Sequence, residues 1–223
     1  MKTIKKIAAR ACQTGAKALY GSIFLALLAG CSALPEPPQR ATVYDFGPGA
    51  VPAAPAPQGM ALPPLVLVDA PDIHDGRQAL QYRLAYANAQ ELRPYSLARW
   101  SQPPAALVQQ ALRERLARER IVFSPNQAAL QKPKDGRLPG VLRVQLEEFS
   151  QVFDAANASS GVLRLRVVLA DAGMTGETVV AQQLFTARRP AATPDAAGGA
   201  KALALAAAQV ADELADWLRQ QGR

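Results

Sequence analysis

Residues 141–149 read Val141-Leu142-Arg143-Val144-Gln145-Leu146-Glu147-Glu148-Phe149. Leu142, Val144 and Leu146 alternate with Arg143, Gln145 and Glu147, the period of two shown by a strand with one buried face and one solvated face. The same alternation returns downstream, where Leu163, Leu165, Val167 and Leu169 are interleaved with Arg164, Arg166 and Val168. The small and polar stretch 155–161 predicts a turn between the two. A second turn is predicted at 171–177, which contains Gly173 and Gly176, and residues 179–188 complete a third strand. Strands linked this briefly can only be antiparallel neighbours, so 141–188 predicts a meander.

Upstream, Leu65-Val66-Leu67-Val68 is an apolar run of strand length. Leu80, Tyr82 and Leu84 alternate with Gln81, Arg83 and Ala85, a second half-buried strand. Residues 88–91 predict a turn, and 92–100 predicts a returning extended segment that Pro94 places near a sheet edge. A helix follows. Ser101 is its expected N-cap, Pro103 and Pro104 suit the first turn, and Val108, Leu112, Arg115 and Leu116 keep the helical period beside Leu107 and Ala111. Ile121-Val122-Phe123 reads as a short strand and 124–140 as a loop. Beyond a Pro/Gly-containing loop at 190–200, Leu203, Ala207, Val210, Leu214 and Trp217 mark the apolar face of a last helix running to about Gln221. The expected class is α+β: a largely antiparallel sheet with two main helices packed on one face, an α/β sandwich.

The N-terminal thirty residues have another character. Lys2, Lys5, Lys6, Arg10 and Lys17 precede an apolar stretch at 18–30 that is 13 residues long. A spanning helix needs about 20 apolar residues, so this one is too short and matches the core of an export signal instead. It ends in Leu28-Ala29-Gly30-Cys31, a lipobox: an apolar residue, two small residues that fit a peptidase cleft, and a thiol able to take a diacylglycerol as a thioether. Cleavage before Cys31 and lipidation of Cys31 are expected, and several buried acyl chains make such an anchor stable. Ser32 at the next position favours the outer membrane, with the protein facing the periplasm. The expected organisation is therefore a signal at 1–30, a tether at 31–63 rich in Pro and Ala, and a folded domain at 64–221. Residues 42–46, Thr-Val-Tyr-Asp-Phe, interrupt the tether as a candidate short strand.

Composition narrows the function. The chain carries 25 Lys and Arg against 18 Asp and Glu, but five of the cations and none of the acids precede Cys31, which leaves the exported part at +2. Nucleic-acid binding is excluded on that ground. With Cys12 in the signal and Cys31 lipidated, no thiol remains for a disulfide or a metal. His74, between Asp72 and Asp75, is the only histidine; without a nucleophile elbow it reads as a solvated loop residue. Glu147 and Glu148, adjacent on a strand, are expected on opposite faces and so not as a cooperating pair. Arg143, Arg164 and Arg166 read as an ordinary solvated face. No catalytic residue, metal site or cofactor is expected. Tyr82, Tyr86, Tyr95 and Trp100 fall within 19 residues. Core packing explains such a cluster by default. The alternative is a recognition surface, with Tyr86, Tyr95 and Trp100 as candidate partner contacts.

The succession of lipobox, Pro-rich stretch, Tyr86, Leu92, Tyr95, Arg99-Trp100, Pro103 and Leu107 leading into a helix resembles the ABC-type transport auxiliary lipoprotein family. The strands at 142–149 and 162–169 and the C-terminal helix keep the same order, so the likeness runs over 31–221. It departs in a long linker and in an unmatched polar loop at 71–79. No catalytic signature defines the family. The resemblance implies a small α/β sandwich and a non-enzymatic role in lipid trafficking across the envelope. The implied partners are an ATPase, a permease and an MCE-domain protein, the auxiliary lipoprotein standing on the outer-membrane side; some members form homo-oligomeric rings that dock the MCE tunnel. A pilotin-like assembly lipoprotein of another outer-membrane complex is the rival reading, and an anchored hydrolase a more distant one.

Overall fold

The three-strand meander is the longest feature of the fold: β6 (Gly140–Ala155), β7 (Ala158–Gly173) and β8 (Gly176–Pro190) pair antiparallel almost end to end. A computed structural model describes residues 39–48, 62–69, 78–128, 138–173 and 175–223. Cys31 and His74 lie outside these residues. The strands are longer than the alternation suggested, since the stretches expected to turn at 155–161 and 171–177 are mostly extended and the chain reverses over two or so residues each time.

The other strands are β1 (Thr42–Tyr44), β2 (Leu62–Asp69), β3 (Ala79–Leu84), β4 (Ala89–Trp100) and β5 (Arg120–Phe123). They complete a mixed eight-stranded sheet. One side of β6 is lined by β7 along its length. The other side is shared: β2 pairs with its first half, as in Leu67↔Leu142, and β3 with its second half, as in Tyr82↔Gln151. Both of these pairings are parallel, as are β2 with β5 and β1 with β4; the two long ladders and β3–β4 are antiparallel. The α+β class therefore holds, with the antiparallel meander as the main body of the sheet. The island at 42–44 does form a strand, aligning Tyr44 with Trp100.

Four helices are described: α1 (Ala85–Asn88), α2 (Pro104–Leu116), α3 (Pro125–Ala128) and α4 (Ala196–Gln220). The turn expected at 88–91 is instead the short helix α1 followed directly by β4. Ser101 does not cap α2. Pro103 occupies the cap position, Pro104 opens the helix with the φ it needs, and the Ser101 hydroxyl bonds Asp45 while its amide donates to the Tyr44 carbonyl at 2.8 Å. The cap residue is spent on fixing β1. Helix α4 starts earlier than expected, with Asp195 as N-cap accepting from the Gly198 amide at 2.8 Å.

Helices α2 and α4 touch each other and pack on one face of the sheet, α4 over β6–β8 and α2 over β2, β5 and β6. Between the layers lie Leu65, Leu67, Leu80, Leu112, Leu142, Leu163, Leu203 and Leu214, each with no accessible surface. Each such leucine contributes roughly 1.5–3 kcal/mol relative to exposure. All five residues predicted for the α4 face are buried.

A β-bulge between Leu146 and Glu148 shifts the inward parity of β6 from even to odd numbers, so that Phe149 and Gln151 are buried after Leu142, Val144 and Leu146. Glu147 and Glu148 consequently both turn outward, against the expectation of opposite faces. Each has its own cations. Glu147 bonds Arg164 at 2.9 Å and Arg166 at 2.6 Å, and Glu148 is held by Arg83 at 3.1 Å. Arg143 in turn pairs with Glu177 at 2.7 Å. These four arginines are thus each engaged by a carboxylate, Arg164 and Arg166 sharing Glu147.

Candidate partner-binding surface

Strands β3 and β4, with α1 between them, form an arm that carries the aromatic cluster. Its base is in the core. Trp100 is 1% exposed and sits between Phe46, edge-on at 5.6 Å, and Phe149 at 5.4 Å. On β4 Ala98 and Trp100 face inward while Leu97 is exposed, which is why Trp100 has no outer surface to offer. It is a packing residue that locks β1 and β4 onto β6.

Tyr95 stands half-buried further up the arm. Its ring is 4.6 Å from that of Tyr82, which also meets Phe153 at 6.0 Å. The Tyr95 hydroxyl donates to Gln151 Oε1 at 2.8 Å, and Gln151 Nε2 donates to Ser159 Oγ at 2.8 Å. Burial, and then the neighbouring Tyr82, push the Tyr95 phenol up to about 12. The polar end of Tyr95 therefore faces the interior, where it satisfies an otherwise enclosed amide.

Tyr86 alone of the three candidates is presented to solvent, at 53% exposure on α1. The tip beneath it is pinned. Arg83 donates from Nε and Nη2 to Glu148 and from Nη1 to the carbonyls of Ala89 and Gln90, at 3.4 and 3.3 Å. The Gln90 amide bonds Asn88 Oδ1 at 3.1 Å, and Leu84 and Asn88 form a bridge across α1. A large aromatic on a rigid, hydrogen-bonded tip binds at low entropic cost. Sequence reading found Tyr86 but not Arg83 and Glu148, because only the bulge turns Glu148 toward β3.

A cleft of about 270 Å³ lies between α2 and α4 and is also lined by residues 45–48. Phe46, Leu107, Ala111, Ala204, Ala208 and Ala211 make its apolar walls, with Gln110, Glu114, Arg115, Arg118 and Asp212 among its other lining residues. Arg115 ties the two helices there, bonding Asp212 at 2.5 Å and Glu119 at 2.8 Å. Ligand pockets commonly span roughly 300–1,000 Å³, so this one is small. Among the described residues no group of three His, Cys, Asp or Glu side chains could hold a metal ion, and no helix is long and apolar enough to cross a membrane.

A family model described as "ABC-type transport auxiliary lipoprotein component" matches residues 44–215, the span from β1 through most of α4. The crystal structure of a Xanthomonas campestris protein described as a DUF330 family member shares the fold with a TM-score of 0.61 at 21% identity, covering 81% of this chain and 96% of that one. A second crystal structure, of an uncharacterised protein, matches with a TM-score of 0.54 at 13% identity over 80% of this chain and 99% of that one. Among curated proteins none matches the chain.

Proposed function

This chain belongs to the ABC-type transport auxiliary lipoprotein family, and from that premise we propose that it is a non-enzymatic, lipid-anchored component of an ABC/MCE-type system that moves lipid between membranes. The match of 172 residues' extent, 44–215, to that family carries the reading. Cys31 is the lipidation site, the preceding residues are the export signal, and Ser32 directs the product to the outer membrane, facing the periplasm. Because β1 begins at Thr42, only residues 32–41 separate the anchor from the first strand, so the working tether is shorter than the Pro-rich composition of 31–63 suggests.

The partner is an MCE-domain protein with its permease and ATPase, and homo-oligomerisation into a ring accompanies docking. Tyr86 on its pinned tip supplies the contact; Tyr95 and Trp100 hold that tip to the sheet from within. Deletion of the gene is expected to sensitise cells to detergents, with rescue by the intact gene and not by Cys31→Ala. Unaltered resistance of the deletion strain under every membrane stress tried would overturn the transport role. Cys31→Ala should also move the protein out of carbonate-washed membranes, and continued sedimentation with them would overturn the anchor.

A further inference from the structure

The two main helices cover one face of the sheet, and the other face is open from β1 across β4, β3 and β6 to β7 and β8. Arg83, Arg99, Arg143, Arg164, Arg166 and Arg188 stand on that open face against Glu147, Glu148, Asp154 and Glu177, six cations against four carboxylates. The surplus of two equals the whole net charge of the part beyond Cys31. Glu148 holds Arg83, Glu177 holds Arg143 and Asp154 holds Arg188. Arg164 and Arg166 share Glu147, and Arg99 forms no ion pair among the described residues. The surplus is therefore local, one unit at Arg164 and Arg166 and one at Arg99.

Each surplus cation stands beside exposed aliphatic side chains. Arg99 is aligned with Val43 across the β1–β4 ladder and follows Leu97 on the same face of β4; Val43 and Leu97 are 50% and 44% exposed. Arg166 is aligned with Leu184, 45% exposed, across the β7–β8 ladder. Arginine flanked by aliphatic side chains on an open face suits the boundary of a phospholipid layer. The guanidinium takes a phosphate through two N–H groups, while its stem and its neighbours meet the upper acyl region. Chain length keeps such a layer within reach. Thr42 follows Cys31 by at most about 40 Å of extended chain, and Val43, the next residue, opens the patch. A domain held this close needs only a small preference to orient it, and near an anionic surface each uncompensated cation supplies a factor of about five.

We propose, on the reading that Cys31 is lipidated, that the open sheet face rests on anionic phospholipid headgroups of the membrane that holds the anchor, through Arg99 with Val43 and Leu97 and through Arg166 with Leu184. The helix layer, on which Leu205 of α4 is 50% exposed, then faces away from the lipid.

The test places the lipidated full-length chain in vesicles of phosphatidylcholine alone or of phosphatidylcholine with phosphatidylglycerol. Cleavage removes Cys12 and lipidation blocks Cys31, so Leu97→Cys, Leu184→Cys and Leu205→Cys each offer a single thiol to an environment-sensitive fluorophore. Thermal unfolding of every variant checks that the fold is intact. The labels on Leu97→Cys and Leu184→Cys should shift to the blue in the anionic vesicles, be quenched by brominated lipid, and return to the aqueous value at high salt. The label on Leu205→Cys should stay aqueous in both. Arg99→Gln combined with Arg166→Gln should remove roughly thirtyfold of the preference for the facing orientation and bring the first two labels back to their emission in neutral vesicles. Equal spectra in the two compositions, with the chain still on the vesicles, overturn the proposal alone. So does a response of the Leu205→Cys label in place of the other two, or a response that requires an added MCE-domain protein and not anionic lipid. A chain that washes off both kinds of vesicle overturns the anchor reading and this one with it.

Discussion

Gly161 of β7 and Leu203 of α4 meet at backbone distance: a Cβ built on Gly161 would stand 2.6 Å from the Leu203 amide nitrogen and 2.7 Å from the Ala202 carbonyl carbon. Neither atom is the yielding end of a side chain, so any substituent there must lift the helix from the sheet. Glycine inside a strand ordinarily costs stability, and its replacement by alanine at a compatible position gains about 0.4–1 kcal/mol. Here the sign reverses. Gly161→Ala is expected to lose about 1–3 kcal/mol, as overpacked cores do, and Gly161→Val more. The urea midpoint should fall at constant m.

Tyr95 and Gln151 give a second test. Tyr95→Phe keeps the ring against Tyr82 but leaves Gln151 Oε1 without its donor in a site with no accessible surface, at an expected cost of about 1–3 kcal/mol. The pH dependence has a definite sign. Burial first, then Tyr82, raises the folded phenol above its ordinary value of 10 to about 12, so folding favours the neutral form. That contribution is complete below pH 10 and is lost as the pH rises from 10 towards 12. Tyr95→Phe should flatten this part of the stability profile; an identical alkaline limb in both proteins would show that Tyr95 does not titrate there.

Arg120 on β5 is 4% exposed, and although its Nη2 donates to the Arg223 carbonyl at 3.0 Å, its Nε and Nη1 have no hydrogen-bond partner among the described residues. Burial lowers the guanidinium from its ordinary range, yet it remains charged. Replacing an imperfectly matched buried charge with an apolar side chain of similar length is often neutral or stabilising by about 1–4 kcal/mol. Arg120→Met is therefore expected to hold or raise the melting temperature, and a clear fall would mean that the single bond to Arg223 outweighs the desolvation.

Arg83 links stability to the proposed contact. Its bonds to Glu148 and to the Ala89 and Gln90 carbonyls fix the tip that carries Tyr86. Arg83→Ala should cost about 1.5–3 kcal/mol, the range for hydrogen bonds to charged groups. Amide exchange should accelerate at 86–91 before it does in the meander, and partner capture should weaken in step with Tyr86→Ala. Unchanged exchange at the tip would remove Arg83 from this role.

The meander and both main helices were legible because 142–146, 163–169 and 203–217 keep strict periods over long runs. The bulge at Glu147 was not, since the apolar pattern around Glu147-Glu148 fits either parity until β7 fixes the register. The parallel pairings were equally hidden: β2 and β3 divide one side of β6 between them, and nothing local in 65–68 or 80–84 states which half each takes. Ser101 looked like a helix cap by residue type, and the structure spends its hydroxyl on Asp45. The aromatic cluster could be located but not sorted. Pro94 breaks the alternation across 92–100, so the inward parity of Trp100 appears only once Val43 and Tyr44 align with Arg99 and Trp100.

Affinity capture of the full-length tagged chain from gently solubilised membranes tests whether this lipoprotein works on an ABC/MCE-type transport system. An MCE-domain protein with its permease and ATPase is expected in the eluate, depleted by Tyr86→Ala at an equal amount of bait. A secretin or outer-membrane barrel component recovered without any MCE or ABC protein would overturn the transport role and place the chain in an assembly role.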